Sequence, residues 1–579
     1  MASRLRLGGA SRRSEVADAV DSQTAVDVVT HRRFRYLRHY ARGLSLLGLL
    51  FGWMFFVVSL TPSLLPRSWQ AQGFVSGNAV AQGYGVGVVL AWAGRRIGVP
   101  GPSEQLRRRA WQVLGLVALV TVPIILWLSS SWQSDIRRAV GAPATGRYLY
   151  LGVFAVAASL TAAIIGVARL LHDAYRAVAA RLGRYLPQFV SRLIATALIV
   201  ALVVGLATGF AEQILLRLAN ATASATSHGT DPGVSRPLSS LRSGSPASLV
   251  TWDSLSRKGR AFVGSGPTVA DLERLTARPA IEPIRVYAGV ASAKTLQDEA
   301  DLVLRELKRT GAFERTLLAV ATTTGSGWVD ATLVDPLEYM YGGDTAIAAI
   351  QYSYLPSWIS FLTERARARQ AGRELFDTIY DYWSTLPATH RPRLVVCGES
   401  LGAYGAEAAF SGIPDITTRT SGALFAGPPN RTELWRELTD RRVKGSPEWR
   451  PIYLDGRTVR FAASAGDLRQ PDGTLRHPSV VYRQYASDPI VWWSTGLAVR
   501  RPDWLTEPRG PDVAPEMHWF PFVTFWQVTG DLIVGNQVPA GHGHRYGSEI
   551  PTAWAAIPPG WTDADTARLT ASQATANGA

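Results

Sequence analysis

The chain has 579 residues, with 60 Lys and Arg against 45 Asp and Glu, a formal net charge of +15, and 47% hydrophobic residues. That length exceeds one ordinary domain, so two or three folding units are expected. Lysine occurs only at positions 258, 294, 308 and 444, so the excess charge is arginine. Much of it flanks apolar segments instead of forming one stripe, which argues against nucleic acid as a partner and matches how membrane proteins use basic residues.

Residues 1–42 form a polar arm with nine arginines between Arg4 and Arg42. The next stretch, 43–60, is GLSLLGLLFGWMFFVVSL, uncharged and close to the roughly 20 residues a bilayer core requires. The long arm before it and the absence of a small-residue cleavage site set it apart from a signal peptide. Four more apolar stretches, 77–94, 111–128, 148–168 and 193–211, complete a helical membrane domain of about five spans over 43–218. An odd number of spans puts the two ends of the chain on opposite sides. The arm and the second and fourth connections carry nineteen arginines, while the first and third carry four: Arg67, Arg137, Arg138 and Arg147. That alternation follows the positive-inside rule. It predicts a multi-pass protein of the cell membrane, with a cytoplasmic N-terminus and everything beyond residue 218 extracytoplasmic. The parity rests on 77–94, the most polar of the five, which contains Asn78, Gln82 and several glycines.

Residues 221–248 are rich in Ser, Thr, Gly and Pro, and 219–261 reads as a linker. From 262 to 565 short apolar runs alternate with amphipathic stretches, the pattern of an α/β domain with a mostly parallel sheet. Strands are predicted at 284–290, 316–322, 346–353, 394–397, 422–427 and 480–485, with another near 521–528. Helices fit 294–310, 368–386, 401–410 and 431–441, and residues 566–579 read as a frayed tail.

The chemistry gathers around 394–410, LVVCGESLGAYGAEAAF. A buried strand ending at Cys397, the turn Gly398-Glu399-Ser400-Leu401-Gly402 and an alanine-rich helix follow one another. This is the G-x-S-x-G nucleophile elbow of an α/β-hydrolase. Such a turn strains the serine backbone and projects its hydroxyl from the carboxyl edge of the sheet. Cys397 itself reads as a small buried hydrophobe. The triad order in these folds is Ser, acid, His. Asp488, in VVYRQYASDP, is the acid that follows a strand; Asp467 and Asp472 are weaker rivals in polar loop sequence. The histidine is due past the last strand, where GHGHRYGSE supplies His542 and His544, which the sequence does not separate. His518 reads as a structural or pocket residue. A metal site is the competing reading of H-x-H, but no carboxylate or cysteine pattern completes it, so neither metal nor organic cofactor is expected.

Oxyanion donors are expected from the N–H of Leu401 and from the loop TTTGSGWVD, at Thr324, Gly325 and Ser326. No lysine follows that loop at the spacing of a phosphate-binding P-loop. Aromatic residues cluster near the acid and the histidines: Trp492, Trp493, Trp504, Trp519, Phe520, Phe522, Phe525 and Trp526. They suit an acyl pocket, a bilayer interface or plain core packing.

Over most of residues 40–565 the chain resembles a bacterial family of membrane-bound α/β-hydrolases with an N-terminal helical domain. The motifs are TTTGSGWVD, QYSYLPSW, RPRLVVCGESLG, GSPEWRPIY, YASDPIVWW, RGPDV, TFWQVTGD and VPAGHGH. The resemblance implies the fold and a serine-hydrolase triad at Ser400, Asp488 and His542 or His544, and it names no substrate. The expected activity is a membrane-anchored serine hydrolase, esterase- or lipase-like, acting through an acyl-enzyme on an ester or lipid at the bilayer. Its rivals are an acyltransferase on envelope lipids or polymers, and a scaffold or transporter carrying a silent hydrolase-like domain. Few charges lie inside the spans, which counts against an ion path.

Overall fold

The structure is a computed structural model that describes residues 43–144, 150–205, 229–547, 549–557, 561 and 563–576. The basic arm lies outside these residues, as do Arg147 and the first ten residues of the expected linker.

Among the described residues five helices come first: α1 (Leu46–Ser59), α2 (Trp69–Arg96), α3 (Glu104–Ala139), α4 (Tyr150–Leu182) and α5 (Gln188–Gly205). Four of them, α2 to α5, are long and apolar enough to cross a membrane. The expectation of about five spans is corrected at the first. Helix α1 has only 14 residues, because Ser45 caps its start and Leu60 caps its end, two residues before Pro62. The segment read as weakest instead lies within the 28-residue α2. Its glycines have a packing reason, since a methyl group on Gly87 would lie 2.3 Å from the Leu47 carbonyl of α1. The α1–α2 connection and the end of α3 face the second half of the chain. Leu64, Leu65 and Val140 belong to the same core as the sheet.

The described part of the expected linker is not a loose tether. Ser243 N–H donates to the Arg285 carbonyl at 3.0 Å, and Val250 and Leu255 are buried. The sheet has seven strands: β1 (Ile284–Ala288), β2 (Leu317–Thr322), β3 (Thr345–Ile350), β4 (Arg393–Glu399), β5 (Gly422–Ala426), β6 (Val459–Ala462) and β7 (Ser479–Arg483). Their order is β1-β3-β2-β4-β5-β7-β6, and every pairing is parallel. A parallel sheet needs helices on both faces, which is why these strands read as continuous apolar runs. Helices that matter below are α6 (Leu296–Arg309), α7 (Ala331–Met340), α8 (Leu401–Glu407), α9 (Val523–Val534) and α10 (Asp563–Ala576).

Three expectations change. The run at 521–528 lies mostly in α9, not in a strand, and packs on α2. Strand β6 was not anticipated. The tail is largely helical, since α10 reaches Ala576 and buries Leu569 completely against the domain.

Candidate active site

Strand β4 is the middle strand of the seven, between β2 and β5. The carboxyl edge therefore gathers four loops: the one after β2, the elbow after β4, and those after β5 and β7. In open parallel sheets ligands bind at that edge.

At the elbow, Ser400 has φ 57° and ψ −123°, a region an L-residue occupies only under constraint, and it starts α8. The constraint is visible. Ser400 N–H donates to the Ala426 carbonyl of β5 at 2.8 Å, and a methyl group on Gly402 would lie 2.2 Å from the Thr322 carbonyl. Only glycine lets α8 pass that close to β2.

Asp488 caps a short helix, Pro489–Trp492, and is completely buried. Its Oδ1 accepts the Ile490 N–H at 2.8 Å. Its Oδ2 accepts from His544 Nδ1 at 2.7 Å and from the Tyr546 hydroxyl at 2.7 Å. A carboxylate only accepts, so the imidazole proton sits on Nδ1 and the lone pair on Nε2. That Nε2 is buried and has no hydrogen-bond partner among the described residues. Tyr546 stacks on Tyr485 at 4.6 Å, and burial beside Asp488 pushes its hydroxyl well above the ordinary tyrosine range.

His542 goes elsewhere. Its Nδ1 lies 3.4 Å from Asp512 Oδ2, and Asp512 also accepts from the Ser487 hydroxyl. The two histidines of H-x-H thus face two different carboxylates. Of the rival acids, Asp467 is tied to Arg450 and to the 463–464 backbone, and Asp472 lies in the loop beyond it.

Gly427, just after β5, links the serine side to the histidine side. Its N–H donates to the Arg483 carbonyl at 2.9 Å. A methyl group there would meet His544 Cε1 at 2.8 Å and Asp488 Oδ2 at 3.0 Å. Gly427, next in the chain to the Ala426 that holds Ser400, therefore lies close against the imidazole. Ser400 and His544 are each only 5% exposed, and no hydrogen bond joins Nε2 to the serine hydroxyl.

Leu401 opens α8, where helix geometry leaves its N–H without an intrahelical acceptor. In the TTTGSGWVD loop the Thr324 N–H is already committed to the Trp328 carbonyl at 3.1 Å, so Thr324 does not qualify as a backbone oxyanion donor. The N–H groups of Gly325 and Ser326 find no acceptor among the described residues. Glu399, between the elbow glycine and the serine, is raised well above the usual carboxylate range by burial and by the nearby Asp330 and Asp488. Its burial thus favours the neutral form, which puts less negative charge behind the serine. Tyr546, Gly427 and Asp512 were missed in the sequence. RGPDV had marked Asp512 as part of a motif, without a role.

A parallel sheet whose middle strand ends in a strained serine, beside a buried His–Asp pair on the same edge, has the architecture of an α/β-hydrolase. The chain belongs to that family: residues 284–569 match the alpha/beta-hydrolase family and residues 60–267 match the alpha/beta-hydrolase family N-terminus. No curated protein and no solved structure matches it.

Proposed function

We propose that the protein is a membrane-anchored serine hydrolase that cleaves an acyl ester, with Ser400, His544 and Asp488 as the triad. The observation that carries this reading is the Asp488–His544 pair, whose buried Nε2 has no partner among the described residues and lies at the same sheet edge as the strained serine. On substrate entry the serine hydroxyl moves onto Nε2 and attacks the carbonyl carbon, and its proton passes to His544. The imidazolium, held by Asp488, then protonates the departing alcohol, leaving an acyl-Ser400 ester. Water, deprotonated by the same Nε2, releases the acid and restores the serine. The Leu401 N–H, with Gly325 or Ser326, would hold the oxyanion; one such donor is typically worth about 3 kcal/mol.

The substrate class in this reading is an ester of the bilayer, lipid included, because the helical domain keeps the site beside the membrane. The arginine-poor first and third connections lie on the side of the hydrolase domain, which favours an extracytoplasmic hydrolase domain. A cytoplasmic N-terminus in addition requires the 14-residue α1 to cross. Protease treatment of spheroplasts of a bacterial expression host should then digest the hydrolase domain; protection would reverse the orientation. A fluorophosphonate probe tests the chemistry: the wild type is labelled and Ser400→Ala is not. Equal labelling of both, or none of either, would leave a silent domain on a membrane scaffold.

A further inference from the structure

The helical domain reaches the candidate site through a buried ion pair. Arg67, in the α1–α2 connection, and Asp531, in α9, are both completely buried, with Nε 2.7 Å from Oδ1. Asp531 Oδ2 also accepts from the Ser63 hydroxyl and, at 3.1 Å, from the Leu64 N–H. Gln72 Oε1 accepts from Arg67 Nη1 at 2.8 Å, and Gln133 Oε1 accepts the Arg67 N–H at 3.0 Å. Nearby, Gln527 donates to the Thr61 carbonyl at 3.0 Å. One turn beyond Asp531, the Gly535 carbonyl accepts the His544 N–H at 2.9 Å. Leu65 closes the other side, with its Cδ1 3.4 Å from where a methyl group on Gly543 would lie. The Gly543 N–H donates to Ser487 Oγ at 2.9 Å, next to Asp488.

We propose that the 60–68 connection of the helical domain is a positioning element of the hydrolase site. Leu65, and Arg67 through Asp531, hold the 541–544 loop and with it the His544 imidazole. This rests on the reading of His544 as the base. Simple tethering requires only apolar contact between the two parts. Here three donors from one short connection converge on a single carboxylate, on the helix that carries the acceptor for His544. The pieces that set the imidazole thus come from both halves of the chain.

The test uses the full-length protein in detergent micelles, with Asp531→Asn, Arg67→Lys and Leu65→Ala. Fluorophosphonate labelling is resolved into KI and kinact, and carbethoxylation of His544 by diethylpyrocarbonate is followed by mass spectrometry. Asp531→Asn and Leu65→Ala should lower kinact at least about tenfold while KI stays within about twofold, as loss of orientation does. His544, shielded in the wild type, should be carbethoxylated at least about tenfold faster in both. Arg67→Lys, which keeps a cation on Asp531, should lose less than Asp531→Asn. Should Asp531→Asn not fold, Leu65→Ala, which leaves the ion pair intact, carries the comparison. Wild-type values of both kinact and carbethoxylation in the variants, even with a lowered unfolding midpoint, would make the contact merely structural and overturn the proposal. A wild type that never labels removes the hydrolase reading, and the carbethoxylation contrast then decides the clamp alone.

Discussion

Asp488→Asn is the sharpest perturbation of the site, because the substitution keeps the shape and changes only what the group can donate. The carboxylate now accepts from Ile490 N–H on one oxygen and from His544 and Tyr546 on the other. An asparagine has two orientations. With its oxygen toward Ile490, the amide nitrogen faces His544 and donates to Nδ1, which moves the imidazole proton to Nε2. The base is then blocked. With its oxygen toward His544, the amide nitrogen faces the Ile490 N–H, donor against donor, in a fully buried position. Leaving such a donor unsatisfied costs about 1–3 kcal/mol. Either way the reactive tautomer is lost or scarce. The equivalent change in a serine protease costs on the order of 10⁴ in kcat, about 5.5 kcal/mol of barrier. The assay is the second-order rate of fluorophosphonate labelling, or kcat/KM on a short-chain p-nitrophenyl ester, with thermal unfolding alongside. A loss below about tenfold at unchanged stability would refute the reasoning, because it would mean His544 does not depend on Asp488 for its tautomer.

Gly427→Ala should damage the site from the other direction. At φ 53° the new methyl group would lie 2.5 Å from Tyr546 Cε2 and 2.8 Å from His544 Cε1. A displacement near 1 Å should cost about 10²-fold in labelling rate, and the left-handed backbone about 1–2 kcal/mol of stability; wild-type labelling would contradict this. Glu299→Gln, in α6, should change stability in a pH-dependent way. Burial, partly opposed by Arg367, pushes the Glu299 carboxyl up to about 9. Its folded value lies above its unfolded one, so the stability tied to its neutral form is present at low pH and is lost as pH rises toward about 9. The slope of that loss is about 1.4 kcal/mol per pH unit for one group. The unfolding midpoint of Glu299→Gln should therefore gain on the wild type between about pH 6 and about pH 8.5; parallel curves would refute the assignment.

What the sequence made legible follows from how locally each feature is encoded. Strand β4 and its elbow are contiguous, so strand, turn and helix could be read together. The order Ser, acid, His then narrowed the search to Asp488 and a pair of histidines. His542 and His544 stand two residues apart in a glycine-rich loop, and only the fold shows which faces Asp488. Strand β6 was missed because it has four residues and carries Arg460, a charge that argues against a buried strand. That guanidinium is satisfied by the carbonyls of Gly456, Leu468 and Gly473, partners no local pattern announces. The run at 521–528 was misread for a related reason. FVTFWQV favours strands by local propensity, and a short apolar run does not distinguish strand from buried helix. Packing against α2 decides for helix.

Arg67 shows the same limit in reverse. In the sequence it counted as one of four arginines against nineteen, a topological signal. In the fold it is completely buried and spent on Asp531, 464 residues away. The topological count alone does not reveal what this arginine does in the fold. Nor is strength the best account of why an ion pair sits at that junction. Buried pairs often contribute little beyond an apolar contact of equal volume, because desolvation offsets their attraction. They do punish misregister. A slip of α9 by one turn, about 5.4 Å, would pull a buried guanidinium and a buried carboxylate apart, and would carry Gly535 away from the His544 N–H. Apolar packing alone would tolerate such a slip at small cost. The arrangement therefore suits a joint that has to hold one register so that Gly535, one turn further on, keeps its hydrogen bond to the His544 N–H.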